Sequence, residues 1–344
     1  MGEQRMPTIK DVAKRAGVGV GTVSRVVAGK GPVSEKTANR VRQAIEELDF
    51  RPSHAARALL TGQSQTIGVF LPMIKGSFYT PILHTIYTTL RVSGRHMVVA
   101  FGQTRERERE EALEGAQFLT DRGCDGLIMV GTALHLKDVE ALSRLQSKFV
   151  LLNRAFPRLL DHCFYPDHRA AGAAAAEALW EAGHRRIAII EGPEISTDNA
   201  LRIRGFLKTL EKHGADVKAV PRIRGDFSPE AGWSGAETLM AGKRRFSALF
   251  CANDEMANGA LSYMHNAGIS VPGDVSVMGY DGIDISAFTT PPLTTVLIPW
   301  RDIALNALNH LIDRCYGEKL PVARSFAAKI LWRNSVARIG ARAR

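Results

Sequence analysis

Cysteine is scarce in this chain and follows no pattern. Its 344 residues hold four, Cys124, Cys163, Cys251 and Cys315. There is no CxxC pair and no Cys/His spacing, which excludes a zinc framework and a disulfide scaffold, so no metal and no cofactor is expected. No apolar run reaches the length that spans a bilayer, and the opening MGEQRMPTIKD lacks the apolar core of an export signal. The expectation is a cytoplasmic protein with reduced thiols and no membrane partner. The alanine-rich stretch from Ala170 to Leu179 fits this, because Glu177 within it and Arg169 and Glu181 beside it suit a packed helix. Motifs that would bring two carboxylates, or a nucleophile and a base, into one cleft are also missing, so an enzyme is not expected.

What is present begins with charge. The formal net charge is +10, and residues 1–62 carry half of it, with eleven Lys and Arg against six Asp and Glu. A basic patch on a small module is the footprint of phosphate binding. Within it, TIKDVAKRAGVGVGTVSRVV from Thr8 to Val27 reads as two short helices broken at Gly17. Thr8 followed by Asp11 is a capping box, and Ile9, Val12, Ala13 and Ala16 form one apolar stripe. A second helix from about Val20 to Val27 turns Val23 and Val26 inward. It leaves Gly21, Ser24 and Arg25 on a small, basic outer face with Val20 at its edge. Such a face suits a DNA major groove, although an ordinary helical hairpin has the same periodicity. Ser34 then caps a third helix to about Leu48, with Val41, Ile45 and Leu48 inside. The segment FRPSHAARALLTG from Phe50 to Gly62 is too short to be a stable helix unaided, and it sets Arg57 beside the apolar Ala58 and Leu59.

From Thr66 the pattern changes. IGVFL, HMVVAF, GLIMV and FVLLN alternate with helical stretches, one of them running through the Arg105 to Glu111 charge run, which reads as a solvated face. A second series follows, with IAII, a helix across Arg202, strands near Val220 and Leu249, a helix from Asp254, and VSVMGYD. Two such series imply two lobes with a cleft between them. Ligands of open α/β sheets bind beyond the carboxyl ends of the strands.

TIKDVAKRAGV, TVSRVV, RPSHAARAL, DGLI, AGHRRIAIIEG, CANDEMANGA and VPGDVSVMGYD followed by PPLTTV occur in order along the chain. In that order they resemble the lactose/galactose repressor family of bacterial transcription regulators, LacI/GalR. LLNR, the run from Ser196 to Phe206 and the ending ILWRNSV are most similar to its galactose and β-glucoside regulators. The resemblance implies an α/β protein, with an all-α helix-turn-helix domain over 1–50, a hinge helix over 51–63 and a two-lobed body over 64–344. The body would be built like a periplasmic binding protein from parallel sheets, with lobe 1 at about 64–163 and 295–324, and lobe 2 at about 164–294 and 325–344.

For DNA, the resemblance implies that Val20, Gly21 and Arg25 face base edges. Arg25 would bridge a guanine and Val20 would lie against a thymine methyl, while Thr8, Thr22 and Ser24 would set register on phosphates. Gly21 stands where many members carry a polar residue, and Gly19 where a serine caps the helix. Leu59, beside Arg57, matches the minor-groove wedge. In the cleft, the matched effector-binding positions are Phe78, Tyr79, Asn153, Arg154, Arg202, Phe227, Asn253 and Asp281. Phe78 and Tyr79 read equally well as core aromatics, and Asn253 with Asp254 as a helix N-cap pair, the reading preferred for Asp254. Asp167-His168 resembles a family Asp-Asn pair with histidine substituted, and that histidine reads as structural.

The implied partners are double-stranded DNA carrying a palindromic operator, a small effector such as a mono- or disaccharide, and a second copy of the chain in a homodimer. The implied function is repression of carbohydrate catabolism genes by a nucleoid-associated protein whose operator binding the sugar controls. The alternatives are a regulator with a non-sugar, purine-like effector, and a sugar-binding protein without a DNA role. An architectural DNA binder with a silent cleft is a further one.

Overall fold

The computed structural model describes residues 7–29, 31–50, 62–104, 107–131, 133–243 and 245–339. Arg57 and Leu59, and with them most of the expected hinge over 51–63, lie outside the described residues.

Three helices open the chain: α1 (Ile9–Ala16), α2 (Val20–Ala28) and α3 (Glu35–Glu47). The Asp11 carboxylate accepts from the Thr8 amide at 2.7 Å and from its hydroxyl at 2.6 Å, which closes the start of α1. Gly17 ends α1 in the left-handed conformation, φ 62°, the turn for which glycine carries no steric cost. The apolar stripes then meet, and Val12, Ala13, Ala16, Val23, Val41, Ala44 and Phe50 form one small core. Val26, Ile45 and Leu48 pack at its edge.

The body has two sheets. The first runs β2-β1-β3-β4-β5, with β1 (Thr66–Leu71), β2 (His96–Phe101), β3 (Gly126–Val130), β4 (Phe149–Leu152) and β5 (Cys163–Phe164) all parallel. Its helices are α4 (Thr80–Val92), α5 (Glu108–Asp121) and α6 (Leu136–Leu145). The second runs β11-β10-β9-β8-β6-β7, with β6 (Ile187–Glu191), β7 (Arg222–Arg224), β8 (Ala248–Cys251), β9 (Ser276–Asp281), β10 (Thr294–Leu297) and β11 (Lys329–Leu331). Only the β10–β11 pairing is antiparallel among the described residues of this sheet. It carries α7 (His168–Glu181), α8 (Thr197–Lys212), α9 (Pro229–Ala241) and α10 (Asp254–Asn266). Strands β1, β3, β4, β8 and β9 are buried along their whole length because helices cover the sheets, as parallel strands require, whereas β2, β7 and β11 are partly exposed. The expected division of the lobes at 294/295 falls inside β10, and the chain then returns to the first sheet as α11 (Trp300–Tyr316), which packs on α4 and β4.

The charge run before α5 departs from a solvated face. Glu111 is buried and accepts from the amides of Gln103 and Thr104 at 2.7 and 3.3 Å, satisfying a loop that has just left β2. Arg109 grips the buried Asp138 with two bonds of 2.7 and 2.6 Å. Arg107, paired with Glu110 and Glu114, stays at the surface. Alternating charge in the sequence does not reveal which members meet a buried backbone.

Helices α7 and α8 cross at two glycines. A Cβ on Gly172 would lie 2.0 Å from the Arg202 carbonyl oxygen, and one on Gly205 would lie 2.0 Å from that of Arg169. The contact is backbone on backbone, so nothing flexible can yield. Gly172→Ala is expected to force the helices apart and cost about 1–3 kcal/mol, read as a melting point several degrees lower; an unchanged melting point would show that the crossing is looser than this.

Candidate functional site

The outer face of α2 is open. Val20 is 41% exposed, Gly21 and Arg25 are exposed, Thr22 and Ser24 are half-buried, and Val23 is fully inside. The N-cap Gly19 supplies no side-chain acceptor to the first turn of α2, which leaves its amides directed at whatever lies beyond, as at anion-binding helix starts. Arg25 is steered by its neighbour, because its aliphatic stem lies over Gly31, where a Cβ would be 3.3 Å from Arg25 Cδ. Thr8 uses its hydroxyl proton on Asp11.

At the other end of the chain's logic, the carboxyl ends of β4, β6, β8 and β9 gather a second set of side chains. Arg202, on α8, is 2% exposed. Its guanidinium lies 3.6 Å from the centre of the Tyr280 ring, 5.8 Å from that of Phe227 and 3.5 Å from Asp198, and it donates to the Ala252 carbonyl. Burial opposes its charge, but Tyr280, Asp281 and Asp198 together outweigh that and keep it protonated. Asp281 closes β9 with φ 108°; burial drives its carboxyl well above the usual carboxylate range, against the pull of Arg202.

His168 sits between the lobes. Its Nδ1 meets the Tyr280 hydroxyl at 2.8 Å and its Nε2 meets Asn153 Oδ1 at 2.6 Å. Burial, aided by Arg202, pushes it down to about 4, so the ring is neutral at ordinary pH. Asn153, at φ 64°, also donates to Asp198 at 3.2 Å, and Arg154 donates to Thr197 at 2.7 Å. For Asp198, burial is outweighed by His168, Arg202 and the hydrogen bonds of Ser196 and Asn153, and its carboxylate is held low.

The expected aromatics are distributed differently. Phe78 and Tyr79 meet edge to face at 4.9 Å, and Phe78 meets Trp300 in the same way at 4.9 Å. Phe227, at φ 73°, lies over Gly192, where a Cβ would be 2.3 Å from its ring. Asn253 is the N-cap of α10, accepting from the Met256 amide at 3.0 Å, and its amide donates to the Phe227 carbonyl at 3.0 Å. It therefore holds the strained Phe227 backbone. Asp254 is not a cap: wholly buried, it accepts from the Ile283 amide and from the hydroxyls of Ser286 and Thr295 at 2.8, 2.9 and 2.5 Å. Burial pushes its carboxyl up to about 6. Two donors from the β9–β10 connection and one from β10 itself need one acceptor, and capping by Asn253 leaves Asp254 free to serve them.

Four side-chain atoms of this region are buried without a partner at full hydrogen-bond geometry, Arg154 Nε, Arg202 Nε, Asp281 Oδ1 and Trp300 Nε1, although the Trp300 indole lies close enough to Asp281 to draw its carboxyl down somewhat. Each costs about 1–3 kcal/mol when unmet. Three donors and one acceptor around aromatic rings suit a compact polyhydroxy molecule, whose hydroxyls both donate and accept. Asp198, Tyr280 and Trp300 escaped the reading of the sequence. Asp198 carries a signal in its position one helical turn before Arg202, Tyr280 only its adjacency to Asp281, and Trp300 none. The histidine read as structural is at the centre of the network. A cavity of about 320 Å³ lined by Leu239, Met240, Arg245, Phe246, Gly268, Ile269, Asp274 and Val275 is elsewhere and includes none of the expected site residues. Among the described residues, no cluster of His, Cys, Asp and Glu could hold a metal ion, and no helix is long and apolar enough to cross a membrane.

Comparison with known proteins bears on both ends. Residues 8–53 match the family described as bacterial regulatory proteins, lacI family, and residues 176–336 match the periplasmic binding protein-like domain. The HTH-type transcriptional regulator AscG of Escherichia coli (strain K12) is 32% identical over 334 residues, covering 96% of this chain and 98% of its own. Among solved structures, the Lac repressor dimer bound to operator and the anti-inducer ONPF superposes with a TM-score of 0.82 at 26% identity, over 97% of this chain and 100% of its own. A LacI family transcriptional regulator from Enterococcus faecium with bound ribose gives 0.70 at 25% identity, over 80% and 99%. A helix-turn-helix head, a two-sheet body with a polar cleft, and kinship along nearly the whole length lead to one conclusion: the chain belongs to the LacI family of bacterial transcription regulators.

Proposed function

We propose that this chain is a homodimeric, cytoplasmic, nucleoid-associated repressor of carbohydrate catabolism genes, whose hold on a palindromic operator is set by a mono- or disaccharide in the cleft. The observation that carries the effector half is the set of unmet buried polar atoms around Arg202, Asp281 and Trp300. Buried polar atoms without a protein partner call for one from outside the chain, and a polyhydroxy ligand in the cleft supplies it. The ribose-bound relative supports a sugar as that ligand. The DNA half rests on the exposed Val20, Gly21 and Arg25 face, with the operator-bound Lac repressor dimer as support for a symmetric pair of such heads. Two recognition helices in successive major-groove half-sites impose a palindrome. Function here is binding and its regulation, and no reacting group is required of the cleft.

In this reading, Arg202 orients sugar hydroxyls while Asp281, Asn153 and Arg154 complete them, and Phe227 and Phe78 present apolar faces to the ring C–H surface. Thr22 and Ser24 hold phosphates, Thr8 sets the start of α1 because its amide and hydroxyl both donate to Asp11, and Leu59 with Arg57 enters the minor groove. Because Gly21 has no side chain, base reading leans on Arg25 and Val20 and on the bending of the DNA.

Arg25→Ala should weaken binding to the selected operator by about 1–3 kcal/mol and relax preference at a single guanine position, as read by titration against single-base operator variants. Uniform weakening across all variants would make Arg25 a phosphate contact. Arg202→Ala and Asp281→Ala should each still bind operator but lose the sugar-induced change in affinity, tested in the same titration with ribose, galactose and cellobiose. Retention of full sugar response by both variants would place the effector elsewhere.

A further inference from the structure

Given the effector-gated repressor proposed above, we propose that Glu255 is a latch between the lobes that holds the cleft shut without a ligand. The latched form is then the operator-binding form, and the effector is an inducer that unseats it. Glu255 is the second residue of α10, at the carboxyl end of β8 in the second sheet. Ser77 belongs to the loop that leaves β1 in the first sheet. Across the cleft, the Ser77 amide donates to Glu255 Oε1 at 2.5 Å, a charge-assisted bond between residues 178 positions apart.

The seat for this carboxylate is shaped by the residue before. A Cβ on Gly76 would fall 2.4 Å from Glu255 Oε1 and 2.6 Å from Oε2. Gly76 also sits at φ 80°, a conformation that side-chain-bearing residues rarely adopt. Backbone and sequence at 76–77 thus admit the Glu255 carboxylate and little else.

Two further polar links run in parallel. Arg154 to Thr197 at 2.7 Å and Asn153 to Asp198 at 3.2 Å join the end of β4 to the start of α8. Their lobe 1 members are also expected to touch the effector. A sugar that takes Asn153 and Arg154 for its own hydroxyls removes these two links, together with the bond from Asn153 to His168, and leaves the Glu255 bond in place. A ligand shifts an equilibrium only by its differential affinity for the two states. One that gains more from Asn153 and Arg154 once they are released from their interlobe partners than from the closed cleft favours the unlatched state. Each bond is modest and partly open to water, as a switch of this kind requires.

The test uses the ligand-free, full-length dimer carrying Glu255→Ala or Glu255→Gln. Both are measured by small-angle X-ray scattering and by titration with a duplex that the wild type selects from a randomised palindromic library. The latch predicts a larger radius of gyration and operator binding weakened about tenfold for Glu255→Ala, with Glu255→Gln between it and the wild type and both melting cooperatively. Should the alanine variant fail to fold, the nearly isosteric glutamine variant carries the comparison. Scattering and operator affinity identical to the wild type in both would overturn the latch. A more open shape with equal or tighter operator binding would overturn the assignment of the latched form to DNA. If the wild type selects no duplex at all, the repressor reading fails, and the scattering comparison still decides the latch on its own.

Discussion

A guanidinium buried to within 2% of full enclosure constrains most of the body. Arg202 cannot be solvated, so its charge has to be met from the protein by the Asp198 carboxylate, the Tyr280 ring and the Ala252 carbonyl. Those partners come from α8, β9 and the end of β8, and aligning them fixes where three elements of the second sheet finish. Asp198 then reaches Asn153 of the first lobe, and His168 joins Asn153 to Tyr280. One buried charge therefore sets the geometry on both sides of the cleft.

The backbone makes room for this arrangement. Gly172 and Gly205 bring α7 and α8 into direct contact, which carries Arg202 to the depth where it meets Tyr280. Gly232 and Gly259 do the same for α9 and α10, beneath the Asn253 cap and the buried Asp254. The left-handed Asn153, Phe227 and Asp281 all lie at strand ends or in loops facing the cleft. Backbone strain of this kind collects where side chains must be aimed at a ligand. It is stabilised here by specific bonds, such as that from Asn253 to the Phe227 carbonyl.

The DNA-reading head follows a different economy. Among the described residues its core is seven buried side chains, and its outer face offers two glycines, Gly19 and Gly21, where polar contacts could have been. In the function proposed above, such a head reads few bases on its own, so discrimination rests on two copies in register and control lies in the body.

Much was legible from residue order alone. The period of apolar positions, the Thr8–Asp11 cap and Gly17 defined the head, because helices shorter than three turns are governed by neighbours three and four positions away. Runs such as GLIMV and FVLL announced parallel strands because both faces are covered, and strand ends announced the cleft. Tertiary structure alone decided the rest. Asp198, Tyr280 and His168 enter the site through contacts between residues 15 to 112 positions apart, and Trp300 enters through its contact with Phe78, far distant in sequence. The exchange of roles between Asn253 and Asp254, and the burial of Glu111 beside the exposed Arg107 and Glu110, depend on which backbone amides are left unmet after folding. Local pattern fixes which face of an element is apolar; which buried polar group meets which partner is settled only when the elements pack and water is excluded.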